Sequence, residues 1–110
     1  MPHIRMRGLP EHIVAQLSQT LLKDLASVTQ IKPDAFTLDW VPSISYRGGN
    51  IDISVVQVEV LWFPKAPEIQ DEVERTIRKQ LLTVYSQATH IAILFTALEP
   101  RGYYRNGTHF

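Results

Sequence analysis

One apolar pattern is written into this chain twice. Ile13, Leu17, Leu21 and Leu25 recur every four residues, and Ile69, Val73, Ile77 and Leu81 repeat them at a constant offset of 56 positions. Side chains at that spacing share one face of a helix, so each run predicts an amphipathic helix with a single apolar stripe. The same offset carries Ile4 onto Val60, Met6 onto Trp62 and Leu38 onto Leu94. Strand-like segments therefore recur along with the helices, and the repeated unit is β-α-β. The units cover about residues 1–46 and 51–97 and are followed by a tail at 98–110, all within one domain of 110 residues. A helix with one stripe can be buried on one side only. The expected class is α+β, with a four-stranded sheet, both helices on one of its faces, and a short C-terminal β-hairpin.

Local signals place the elements. "PHIRMRG" alternates, with Pro2, Ile4 and Met6 on one face and His3, Arg5 and Arg7 on the other, as in a half-buried strand. Pro10 suits the first turn of a helix, where its missing N–H is not needed. Pro33 disfavours helical geometry at Lys32 and ends that helix. "AFTLDWV" reads as a strand, and Gly48-Gly49 as a hairpin tip. "IDISVVQVEVLWF" is rich in branched residues and reads as one long strand. In "EIQDEVERTIRKQLLTVYS" the acids come early and the bases late, which complements the helix dipole. "HIAILFTAL" reads as a buried strand, and Asn106-Gly107 as a tight hairpin turn.

Composition removes whole classes of function. Lys plus Arg and Asp plus Glu are equal at 11 each, so no net charge draws the chain to nucleic acid or to an anionic membrane. There is no cysteine, which excludes disulfides, zinc–thiolate sites and thiol catalysis. His3, His12, His90 and His109 show no ligand spacing, so no metal site is expected. The apolar runs are too short to span a membrane and no signal-like run opens the chain, so a cytoplasmic setting is expected.

Pro2 stands directly behind Met1. Two readings are open. It leads a strand, with its missing N–H at an edge, or it becomes a terminal secondary amine once Met1 is removed.

Two β-α-β units, Pro2 behind Met1 and a short β tail together resemble the tautomerase superfamily in its macrophage migration inhibitory factor-like branch. "MPHIRMRG" resembles that branch's opening strand. "IKPDAFTLDWVPS" resembles its Lys-Pro segment and the strand that follows. "GYYRNGTHF" resembles its aromatic-Asn-x-Ser/Thr-Phe tail, and the combination with "VEVLWF" and "FTALE" looks like a small bacterial branch.

The resemblance implies a homotrimer whose sheets close into a barrel, with a pocket at the subunit boundary around the terminal proline. It implies a tautomerase-type isomerase acting on a small 2-oxo acid or unsaturated carboxylate, without a cofactor. Pro2 would be the general base, since burial and nearby cations lower an amine's pKa. Lys32, at the place of the family's lysine, is the first candidate to hold the substrate carboxylate and stabilise the enolate. Lys65 is the second. Trp62, Phe63, Tyr103, Tyr104 and Phe110 are candidate walls of the substrate pocket. Arg5 and Arg7 read as structural or channel-lining. Ile91 and Ile93 stand where the branch has polar and tyrosine residues, so an acid role there is lost or moves to Tyr103 or Tyr104. The second reading is a trimeric binding or interaction module that kept the fold without the chemistry.

Overall fold

A computed structural model describes residues 1–110. The chain runs β1 (His3–Arg7), α1 (Glu11–Thr29), β2 (Thr37–Val41), β3 (Tyr46–Arg47), β4 (Asn50–Ile51), β5 (Val55–Trp62), α2 (Pro67–Val84), β6 (His90–Ala97), β7 (Tyr104–Arg105) and β8 (Thr108–His109). Strands β2, β1, β5 and β6 form one sheet in that order. The pairs β1–β2 and β5–β6 are parallel, and β1–β5 is antiparallel. The fold is α+β, with the two helices against a four-stranded mixed sheet and hairpins β3–β4 and β7–β8 beside it.

The helical stripes meet the sheet as their periodicity requires. Leu17, Leu21, Leu25, Ile77 and Leu81 are buried with Ile4, Met6, Val56, Val58, Val60 and Trp62 in one continuous core. Pro10 is extended and sits just before α1, and Gln30 closes that helix in the left-handed region. Pro67 opens α2, where no intrahelical N–H is required. The one buried polar side chain, Thr29, donates its hydroxyl proton to the Leu25 carbonyl at 2.7 Å and adds no unpaired group to the core.

Three expectations change in three dimensions. The repeat is not in strict register to its end. Leu38 pairs with Ile4 and packs on the core, whereas Leu94 pairs with Glu59 and is exposed on the opposite face. The true counterpart of Leu38 is Phe95, which pairs with Val60. Leu25 to Leu38 spans 13 positions and Leu81 to Phe95 spans 14, so the second unit carries one extra residue between helix and strand. A slip of one residue moves a side chain to the other face of a sheet.

The strand "HIAILF" is an edge strand, not one buried on both faces. Ile91, Ile93 and Phe95 pack inward while Leu94 faces out. The long run is also broken. Asn50 and Ile51 belong to the small hairpin with Tyr46 and Arg47. Asp52 then accepts hydrogen bonds from the Ser54 N–H at 2.9 Å and the Ser54 hydroxyl at 2.5 Å, turning the chain before β5 begins.

The face away from the helices is lined by His3, Arg5 and Arg7 on β1 and by Gln57 and Glu59 on β5. Arg7 Nε donates to Gln57 Oε1 at 2.5 Å, and Arg5 lies 3.7 Å from Glu59. No helix is long and apolar enough to cross a membrane.

Candidate functional site

The head of β1 and the C-terminal hairpin meet at one end of the sheet. Pro2 is buried, and its carbonyl accepts the Thr37 N–H at 3.1 Å, tying the start of β1 to the start of β2. The terminal amine ahead of it is held below the ordinary value of 8.0. Partial burial is the main cause, and the charges of Lys65 and Arg105 add to it, since all three disfavour an ammonium ion. Arg105 also donates toward the Met1 sulfur at 3.8 Å, so the last hairpin lies directly over the first residue.

An aromatic wall stands beside His3, the residue after Pro2. Tyr103 meets Phe110 edge-on at 5.0 Å between ring centroids and Phe63 edge-on at 5.5 Å. Phe63 and Phe110 lie 5.4 Å apart, and the Phe110 N–H donates to the Tyr103 carbonyl at 3.0 Å, which closes the tail. Aromatic pairs in such tilted arrangements attract each other beyond their buried area. They hold the tail in place without further secondary structure.

His3 links the wall to the sheet. Its ring stacks on Tyr103 at 5.8 Å. Nε2 lies 2.5 Å from the Tyr103 hydroxyl and Nδ1 lies 2.7 Å from the Thr37 hydroxyl. Its pKa is lowered by burial first and then by the terminal amine. Asp39 opposes this shift, and Arg5 adds to it.

Of the residues singled out above, the structure packs Phe63, Tyr103 and Phe110 together beside His3, and it places Lys65 where its charge acts on the amine ahead of Pro2. It sets Trp62 and Tyr104 apart. Trp62 points the opposite way from Phe63, is 2% exposed and packs on Phe95 at 5.0 Å inside the core. Tyr104 is outside the wall, with its hydroxyl on Arg101 Nη1 at 2.5 Å and its ring against His109. Lys32 is exposed at the head of a single turn, Pro33–Ala35, that leads into β2, and the cations acting on the terminal amine are Lys65 and Arg105. Sequence reasoning missed His3, Thr37 and Arg105 as members of this cluster. Their contacts join positions 34, 100 and 104 residues apart, and no local pattern carries that information. No group of three or more His, Asp or Glu is disposed to hold a metal ion.

A four-stranded mixed sheet of two β-α-β units with a short C-terminal hairpin is the fold of the macrophage migration inhibitory factor-like proteins. The chain belongs to the family described as Domain of unknown function (DUF1904), which matches residues 1–109. It is similar to a DUF1904 protein of Sebaldella termitidis, with 29% identity over 100% of both chains and a TM-score of 0.91. It is also similar to a protein of Vibrio cholerae, with 33% identity over 99% of this chain and 87% of that one and a TM-score of 0.88. A macrophage migration inhibitory factor-like protein of Entamoeba histolytica shares the fold at 17% identity, over 99% and 98% of the two chains, with a TM-score of 0.81. No curated protein matches the chain in sequence.

Proposed function

We propose that this protein is a cytoplasmic tautomerase-type isomerase of small 2-oxo acids or unsaturated carboxylates, with Pro2 as general base after Met1 is removed. The observation that carries this reading is the environment of the chain's first amine, which is partly desolvated, acted on by the charges of Lys65 and Arg105, and one residue from His3, on which the Phe63–Tyr103–Phe110 wall rests. Removing Met1 moves the amine one residue inward and makes it secondary. The same burial and the same cations then favour its neutral form, which can take a proton from carbon next to a carbonyl. Lys65 and Arg105 offer two positive charges to a substrate carboxylate and to the developing enolate oxygen. Lys32 joins them if assembly brings its exposed side chain to the site.

A homotrimer is part of this reading. Strands β2 and β6 end the sheet with unpaired edges, and Leu94 lies exposed on the face opposite the helices. Pairing with other copies would cover both.

Intact-mass measurement of natively expressed protein checks the first condition, and the expected result is loss of Met1. An enol–keto assay on phenylpyruvate, with wild type beside Pro2→Ala, checks the second. The expected result is activity in wild type that falls at least about 100-fold in the variant. Retained Met1, or equal rates, favours the second reading. That reading is a trimeric interaction module, supported by the apolar Leu94 on the open face.

A further inference from the structure

We propose that Tyr103 is the group that gives a proton to, and takes it from, the substrate oxygen, and that His3, held by Thr37, is the positioning residue that fits it for this. The inference rests on the tautomerase reading and assigns a partner to its base.

The geometry separates the two adjacent tyrosines. Tyr104 is 57% exposed, and its hydroxyl is taken by Arg101. The Tyr103 hydroxyl lies 2.5 Å from His3 Nε2 and has no other hydrogen-bond partner, its ring forms part of the wall stacked on His3, and His3 in turn feels the charge of the first amine. His3 immediately follows Pro2, so the base and the residue that positions the acid are consecutive in the chain, and the acid comes from the tail folded over them. Thr37 fixes the other ring nitrogen, and β1–β2 pairing fixes Thr37 opposite His3.

A neutral imidazole carries one N–H. With that hydrogen on Nε2, it donates to the Tyr103 oxygen, and Nδ1 accepts from the Thr37 hydroxyl, whose proton is free to rotate. The phenol proton is then not used inside the protein and can point to the substrate. In enolisation the substrate C–H bond breaks and its proton goes to the Pro2 nitrogen. The electron pair becomes the C=C bond, and the carbonyl π pair moves to oxygen. That oxygen takes the Tyr103 proton, and the His3 N–H stabilises the phenolate left behind. The reverse sequence restores both groups, and water carries the proton from Pro2 back to Tyr103 after release. Groups that bear on His3 are the terminal amine and Arg5, which favour the neutral ring, and Asp39, which opposes them.

The experiment combines two readouts on one set of proteins. Nitrogen-15 NMR of the His3 ring in wild type is expected to show the Nε2–H tautomer near neutral pH, and Tyr103→Phe is expected to remove that preference. The Nδ1–H tautomer in wild type, or no response to Tyr103→Phe, overturns the proposal whatever the activity. In the phenylpyruvate assay Tyr103→Phe is expected to lower kcat about 100-fold with little change in KM. His3→Gln is expected to give a smaller loss together with a displaced pH profile. Activity that needs Pro2 but persists at the wild-type level in Tyr103→Phe overturns this assignment and leaves the tautomerase reading standing. Wild type and Pro2→Ala giving equal rates overturns the tautomerase reading itself, and this assignment with it.

Discussion

Gly8 holds β1 and β5 closer than any other residue would permit, and its replacement by alanine separates strain from steric conflict. Gly8 has φ +93°, and a Cβ there would lie 2.2 Å from the Val55 carbonyl oxygen and 3.2 Å from Val56 Cα. Ordinary contact begins near 3.4 Å, so the start of β5 must retreat by about 1 Å. Gly107 has a similar φ of +87° with nothing within 4 Å of the added atom, and it serves as the control. Backbone strain costs about 1–3 kcal/mol at either site. Forcing an atom into packed backbone adds about 1–3 kcal/mol at Gly8 alone. Gly8→Ala is therefore expected to lose about 2–6 kcal/mol, a large share of the ~5–15 kcal/mol that holds a typical domain. Urea unfolding of both variants and wild type at one protein concentration reads the difference, with concentration fixed because association contributes to apparent stability. Equal losses in Gly8→Ala and Gly107→Ala would refute the close approach of β5 to the end of β1.

Three further outcomes follow from the site and its supports. Trp62→Ala is expected to cost about 3–5 kcal/mol in urea unfolding, and Phe63→Ala clearly less, because Trp62 is buried under the sheet and Phe63 lies in the tail wall. The carboxyl of Asp52 is held well below the usual carboxylate range by hydrogen bonds from the Ser54 hydroxyl, from Arg47 and from the Ser54 N–H. Its contribution is present above the unfolded pKa of about 4 and is lost as pH falls through the lower folded value. The stability gap between wild type and Asp52→Asn should therefore be widest above about pH 4.5 and narrow with acidification, as read by urea unfolding across pH. In protein that keeps Met1, the terminal amine should react with an acylating ester at lower pH than an ordinary amine of pKa near 8.0. Lys65→Gln should move that profile upward by removing one of the causes of the shift.

The amino-acid sequence by itself determined the two helices, the four sheet strands and the architecture, but not the break that puts Asn50 and Ile51 in a separate hairpin ahead of β5. Stripes such as Ile13–Leu17–Leu21–Leu25 and the alternation of β1 state which face of each element is apolar, and an apolar face has few ways to be buried. Two helices on one side of a four-stranded sheet follow from that rule, and the resemblance to the tautomerase superfamily named the fold. The register of β6 was not legible, because a single added residue after α2 turns Leu94 outward and Phe95 inward while the run "HIAILF" is apolar on both faces. The grouping at the first amine lay equally out of reach. Tyr103 and Arg105 reach His3 and Met1 only because the last hairpin folds back over the head of β1, held by contacts between Tyr103, Phe110 and Phe63. Hydrophobic period is a local property and survives in one dimension. A hydrogen bond between residues 3 and 103 exists only after the whole chain has closed, so tertiary structure alone decided which side chains share the site.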